Sequence, residues 1–376
     1  MSHKSKTYAD SKSERPKRTY FGTLMVIVLL ALTISFSVAL LIAYLTPYVS
    51  PTTFGSLTIV GIFVPILYIG VVICTLLWLV MRYWRVAGIA ALMLIPGAFH
   101  VQDFYNLAIT RQVEGMKESG SFTLMSYNVR GFYSDKGEYT IPDIVDYMEH
   151  VDIPDIVCLQ EFSRTADGVE RIDSLFAARY KARHFSDVVE SGNYVLRIYS
   201  RYPIIAKGEI AGSGRGTSQW VDVVVNKRDT LRVFNNHLYT TQISPDDSEE
   251  IERGRILQDG GRIKSIVDRI ANNSAIRASH VDTLRYVMDN TPHDIVVCGD
   301  FNDTPMSYVY GELSENLKDA FVESGRGYGY TFRPMYGMLR IDYILHSAGL
   351  KTVNYFSKED VKFSDHLPIV ARLKFE

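Results

Sequence analysis

The chain of 376 residues contains only three cysteines and three tryptophans. Cys74 stands in a long apolar run, and Cys158 and Cys298 stand in short strand-like runs. Their spacing fits neither a zinc site nor a disulfide framework, so each reads as a small core hydrophobe. A domain of this size needs no disulfide staples, so the scarcity leans only weakly toward a reducing compartment. The absence of charge is more telling. From Thr19 to Met81 there is no Asp, Glu, Lys or Arg. A soluble helix needs a polar face, so this stretch predicts membrane. It also lacks any ionisable group that could line a transport pathway.

Pro47, Ser50, Pro51 and Thr52–Thr53 divide the uncharged stretch into Phe21–Tyr44 and Phe54–Met81. Each is longer than the ~20 residues a span requires. Val86–Gln102 has about the minimum length for a third span, but Pro96, Gly97 and His100 weaken it. Its alternative is a re-entrant or interfacial helix. Lys4, Lys6, Lys12, Arg15, Lys17 and Arg18 precede the first segment, and Arg82 and Arg85 follow the second. The positive-inside bias puts both clusters in the cytoplasm. Three spans then place the C-terminal region outside, and two would leave it inside. The expectation is a multi-pass integral membrane protein with an extracytoplasmic C-terminal domain. Its divisions are a basic cytoplasmic tail at 1–18, a transmembrane region of two to three helices at 19–102, a connector at 103–120 and a C-terminal domain at 121–376.

Basic residues are also in deficit beyond the membrane region. Residues 102–376 carry 32 basic against 40 acidic side chains, a net charge of −8. Non-specific binding of polyanions needs Lys and Arg at the phosphates, so nucleic acid is possible as a partner but not favoured.

What this region does have is a series of short polar strings. They read Ser-Tyr-Asn-Val-Arg (126–130), Leu-Gln-Glu-Phe (159–162), Asn-Asn-His-Leu (235–238), Gly-Asp-Phe-Asn-Asp (299–303), Arg-Ile-Asp-Tyr-Ile-Leu (340–345) and Ser-Asp-His-Leu-Pro (364–368). Most close an apolar run that reads as a buried strand. Packing does not demand Asp, Asn, Glu and His at so many strand ends. Glu161, ending one such run, suits Mg²⁺ or Mn²⁺, hard cations that take oxygen donors. Asp300, after Ile295–Cys298 and Gly299, is placed to orient or deprotonate a water, and Asn302 to donate to a phosphate oxygen. Taken singly, Glu161 could be a surface carboxylate, and Asp300 and Asn302 an Asx-turn.

In number, order and type the strings resemble the endonuclease/exonuclease/phosphatase superfamily, with its deoxyribonuclease-I-like fold. The resemblance covers roughly Ser121 to Glu376. It implies an α/β fold, a two-sheet β-sandwich flanked by helices. It further implies Glu161 as the principal metal ligand, with Asn128 and Asp365 near the metal or phosphate. Asp342 would orient His366, fixing its tautomer and raising its basicity. His237 would contact the scissile phosphate, with Asn236 as a companion. Arg201, in Tyr-Ser-Arg-Tyr-Pro-Ile, matches a string that is mainly architectural but is a further candidate for a phosphate contact. The reading is a membrane-anchored, Mg²⁺- or Mn²⁺-dependent hydrolase of a phosphate ester. Its rivals are a nuclease of the same fold and a non-catalytic membrane-anchored binding module.

The remaining pattern predicts helices at Ile141–His150 and 166–180, and several antiparallel strands over 182–238. It predicts one or two helices over 246–289, interrupted near Asn272–Ser274. Strands are expected at Phe122–Val129, Asp155–Leu159, Asp294–Cys298, Ile341–His346, Leu350–Phe356 and Pro368–Phe375.

Overall fold

The computed structural model describes residues 20–107, 120–134, 136–150, 154–180, 184–212, 216–225, 229–243, 245–357 and 360–376. The basic tail and most of the connector lie outside the described residues. The alternating and apolar runs of the C-terminal region form two six-stranded sheets. The first runs Leu350–Ser357, Ile369–Phe375, Ser121–Asn128, Ile156–Ser163, Tyr194–Ser200, His184–Ser191. The second runs Lys318–Asp319, Asp342–His346, Asp294–Asp300, Thr230–His237, Thr217–Val224, Ile204–Ala211.

The sheets pack face to face over a core that includes Phe122, Leu124, Cys158 and Ile198 from one and Val221, Val233, Cys298 and Ile344 from the other. Both described core cysteines are thus the small hydrophobes their context predicts. Helices Ile141–His150 and Val169–Tyr180 cover the outer face of the first sheet. Helices Gly260–Asp289 and Tyr308–Ser314 cover the outer face of the second. This is the α/β sandwich flanked by helices that the sequence implies.

Each sheet has one parallel pair at its centre. Ser121–Asn128 runs beside Ile156–Ser163, and Thr230–His237 runs beside Asp294–Asp300. A parallel pair ends both strands at the same edge, because a crossover connects them. The C-terminal ends of all four strands meet at one pole of the sandwich.

The helical reading of 246–289 needs two corrections. Gly260–Asp289 is continuous through Asn272–Ser274. The polar residues there are used on neighbours, Asn273 Nδ2 donating to the carbonyls of Thr240 and Thr241 at 3.0 and 3.1 Å. The interruption falls earlier, between the helix Pro245–Glu252 and Asp259, which caps the long helix through Arg262 N–H.

The membrane region also differs from expectation. One apolar stretch, Tyr20–Tyr48, is long and apolar enough to cross a membrane; it consists of the helix Tyr20–Ala43 and following turns. After a short helix Pro51–Phe54, the second expected span, Phe54–Met81, is broken into Leu57–Ile62 and Val64–Val80. Pro65 lies in the first turn of the last of these, where a missing N–H is tolerated and a helix restarts. The third, Trp84–Ala98, has 15 residues. Among the described residues the multi-pass arrangement is therefore not supported.

The N-terminal helices pack on the catalytic region. Thr46 Oγ1 donates to the Met306 carbonyl at 2.7 Å, and Met306 joins a cluster with Leu40, Ala43, Val64 and Val71. Ile59 and Ile62 pack against Ile256, Ile266 and Ile270. Further along, Tyr105–Asn106 pairs with Gly327–Tyr328, and Arg340 Nη1 donates to the Asp103 carbonyl at 2.8 Å.

Candidate active site

The site is built at the shared pole of the two parallel pairs. Asn128 ends one strand of the first pair, and Glu161 lies near the end of the other. His237 and Asp300 end the strands of the second pair and are register partners. Asp342 opens the neighbouring antiparallel strand opposite Asp300. His366 lies just before Ile369–Phe375 and bridges Phe332.

Glu161 is aimed by a local irregularity. The pairing of its strand with Tyr194–Ser200 shifts register between Leu159 and Phe162. Glu161 sits in that bulge with φ +52. A bulge re-aims a side chain, and an L-residue in the left-handed region carries strain of order 1–3 kcal/mol. Asn302 has the same φ of +52. Its N–H donates to Asp300 Oδ1 at 2.8 Å, and its amide donates to the Leu238 carbonyl at 3.0 Å.

Asn128 ties the halves together. Its Nδ2 donates to Glu161 Oε1 at 3.0 Å and to Asp300 Oδ2 at 3.1 Å. Its Oδ1 accepts the Arg130 N–H at 3.0 Å, which fixes the amide orientation. His366 Nδ1 meets Asp342 Oδ2 at 2.9 Å, and its Nε2 stands 3.7 Å from Asp300 Oδ2. Burial alone would lower the His366 pKa. Asp342 and Asp300 on either side nevertheless hold it well above the usual imidazole range. His237 lies between Glu190, at 2.9 Å from Nδ1, and Glu161 and Asp300, at 3.6 and 3.8 Å from Nε2. Burial opposes its charge, but these carboxylates, Glu190 foremost, push its pKa up to about 10. Burial raises the Asp300 carboxyl to about 6, against the pull of both imidazoles.

Asp300, Asp342 and His366 bring ligand-type atoms within 4.8 Å of one another, all buried. Asp342 uses one oxygen on His366 and does not line the adjoining cavity. That trio is better described as a hydrogen-bonded Asp342–His366 pair facing Asp300 than as a cage. The carboxylates that line the cavity are those of Glu161, Asp300, Asp365 and Asp303, the last of them paired with Arg277 at 3.2 Å. Asp365 also pairs with Arg130 Nε at 3.3 Å. Counting outward, five carboxylates (Glu161, Glu190, Asp300, Asp342, Asp365) face three cationic groups (His237, His366, Arg130). Two negative charges remain. Oxygen donors with that excess fit a hard divalent cation.

Two expected contributors are elsewhere. Arg201 lies with Asp155, at 2.9 Å, at the opposite end of the sheet from Glu161. Its role there is architectural, and it makes no contact with the site. Asn236 is buried against its own sheet, donating to the Cys298 carbonyl at 2.8 Å, and does not line the cavity.

Two contributors were missed by the sequence reading. Glu190 positions both His237 and, through its other oxygen, the Glu161 N–H at 3.0 Å. Asn235 bridges the sheets beneath the site. Its Oδ1 accepts from Gln160 at 2.7 Å, and its Nδ2 donates to the Leu159 carbonyl at 3.0 Å. Asn235 stands in a quoted string and was passed over in favour of its neighbour. Glu190, before the Ser191-Gly192 turn, belongs to no string.

A family model described as the Endonuclease/Exonuclease/phosphatase family matches residues 125–366. The chain belongs to that family. A second model, described as a domain of unknown function, matches residues 26–104. Among solved structures, the chain is similar to an endonuclease/exonuclease/phosphatase from Beutenbergia cavernae DSM 12333, at 20% identity and a TM-score of 0.48, covering 68% of this chain and 72% of that one. It is similar to the human Nocturnin catalytic domain at 16% identity and 0.48, covering 71% and 100%. It is also similar to ANGEL2, a 2',3'-cyclic phosphatase, at 16% identity and 0.48, covering 69% and 99%. No relative is found among curated proteins.

Proposed function

We propose that this family member is a membrane-anchored, Mg²⁺- or Mn²⁺-dependent phosphoester hydrolase. The observation that carries the reading is the convergence of Glu161, Asp300, His237 and the Asp342–His366 pair at one pole, facing a common cavity. Glu161 would hold the cation, with Asn128 and Asp365 beside it. A bound cation supplies charge neutralisation at the phosphoryl and leaving oxygens.

The protein's own groups do the rest. Asp300, with a carboxyl near 6, is ionised at neutral pH and basic enough to orient or deprotonate the attacking water. His237 and His366 stay protonated at neutral pH and donate to phosphoryl oxygens as charge develops. Asn302 spends one amide hydrogen on Leu238 and has another for the same purpose. Asp342 fixes the orientation of the His366 ring and favours its charge.

The anchor is Tyr20–Tyr48. With the six basic residues before it retained in the cytoplasm, a single crossing puts the catalytic domain on the extracytoplasmic side.

The test is hydrolysis by the full chain in detergent with Mg²⁺, on a panel of phospholipids, plasmid DNA, an abasic oligonucleotide and inositol phosphates. Asp300→Asn and Glu161→Gln should each lower turnover ~10²-fold or more, the scale of positioned acid–base groups. Both should retain the wild-type melting transition. A purified Asp300→Asn protein with near-wild-type turnover would sink the mechanism.

A further inference from the structure

The cavity at the site has a volume of about 590 Å³ and two unlike ends. One end holds Glu161, His237, Asp300 and His366. The other is hydrocarbon, with Ile59, Ile62 and Phe63 of the N-terminal region facing Ile256, Ile266 and Ile270 of the catalytic region. This volume lies within the ~300–1,000 Å³ of a site that takes an organic ligand whole. A phosphate and a few waters would not need the apolar end.

The position of the apolar wall carries the argument further. Ile59, Ile62 and Phe63 follow shortly after the apolar stretch Tyr20–Tyr48. The catalytic loop is fixed to the same place. Asn302, Asp303 and Thr304 line the cavity, and Met306 packs among Leu40, Ala43 and Val64 and accepts the Thr46 hydroxyl. The reacting groups, the hydrocarbon cavity and the end of the membrane-crossing segment are therefore contiguous. Polyanion chemistry is absent from the lining. Among the described lining residues the sole guanidinium or ammonium is that of Arg277, bound to Asp303 at 3.2 Å.

Resting on the hydrolase reading, we infer that the substrate is a phosphoester carried on a hydrocarbon chain and drawn from the bilayer, its chain lying between the N-terminal helices and the helix Gly260–Asp289. Water attacks phosphorus, the P–O bond to the leaving group breaks, and the leaving oxygen takes up a proton.

The experiment uses the full chain with Mg²⁺ and alkyl p-nitrophenyl phosphodiesters, methyl to dodecyl, which share one leaving group. Because each methylene buried contributes ~0.8 kcal/mol, kcat/KM should rise roughly four-fold per methylene until the cavity is full. Ile62→Gln, and as a second variant Ile251→Gln in the helix Pro245–Glu252, which also lines the cavity, should each lower the dodecyl-to-methyl ratio at least ten-fold with the melting transition retained. In vesicles, a dodecyl ester in the same bilayer as the protein should be cleaved well before one in separate vesicles. Equal kcat/KM for all chain lengths would overturn this inference and leave the hydrolase reading standing, as would preference for an ester outside the protein's own bilayer. Hydrolysis of no ester at all would overturn the hydrolase reading. In that case, calorimetric binding of dodecylphosphonate against methylphosphonate still decides the inference, and equal affinities would reject it.

Discussion

Asp342 is buried at the start of a central strand, and the one hydrogen-bond partner of its carboxylate among the described residues is His366. An ionised carboxylate in such a place is costly unless paired, so the two residues should act as a unit. Asp342→Asn is expected to lose much of what His366→Ala loses, because the ring is no longer oriented or held charged. The double variant should be little worse than either single one, since members of a unit are non-additive. Multiplicative losses in kcat/KM would separate them. At this scale most of the site was legible. Asn128, Glu161, His237, Asp300, Asn302, Asp342, Asp365 and His366 all reach one pole, because each belongs to a string at a strand end. Arg201 did not, because a string gives a residue's position along its strand but not which end of the sheet that is. Glu190 was invisible because its contact crosses between the two sheets, from His184–Ser191 to Thr230–His237, and nothing beside it in sequence marks that contact.

The elements were legible where periodicity alone decides them. Strand Ser121–Asn128 and helix Ile141–His150 fall within a residue of expectation. The bulge at Glu161 was not, since it is a mismatch of registers between two strands and no single run contains it. Nor was the breaking of Phe54–Met81, which has no charged residue, so that hydropathy gives no boundary. The long helix Gly260–Asp289 carries a testable pH signature. His280 on this helix is buried, with Nε2 3.1 Å from Ser218 Oγ on the second sheet. Burial lowers its pKa to about 4. The unfolded chain, with an ordinary value near 6.5, then takes up the proton first as pH falls. Stability from this group is complete above pH ~6.5 and is lost progressively down to pH ~4, a loss of about 3 kcal/mol at ~1.36 kcal/mol per pH unit. His280→Gln should remove that part of the slope in denaturant unfolding followed between pH 7 and 4. A variant slope parallel to wild type would show that His280 titrates normally in the fold.

For the molecule as a whole, composition separated an uncharged N-terminal region from an acidic catalytic one, but their docking was hidden. Beside the apolar clusters around Met306 and Ile266, it rests on small residues and backbone atoms, which have no hydropathy signal. A Cβ added at Gly61 would strike the Met306 carbonyl, one added at Gly55 would come within 2.8 Å of the Ala271 carbonyl, and Gly311 lies against Pro47. Gly61→Val should therefore lower the melting temperature by several degrees, consistent with ~1–3 kcal/mol for overpacking. It should also reduce kcat/KM, although residue 61 touches no reacting group, because Met306 closes the loop that bears Asp300 and Asn302. Unchanged activity together with a lowered melting temperature would show that the docking stabilises without shaping the site. A domain cut free of residues 20–107 would likewise lose one wall of its cavity and expose Ile266 and Ile270 to water. The order of strands has a consequence for how the protein is made. The last strand, Ile369–Phe375, lies in the first sheet beside Ser121–Asn128, so Lys374 pairs with Ser121. His366 enters the site only with that strand. All strands of the second sheet precede it in the chain and can pair before it arrives. The first sheet closes only when Ile369–Phe375 arrives, and until then Asp300 has His237 beside it but Asp342 lacks His366.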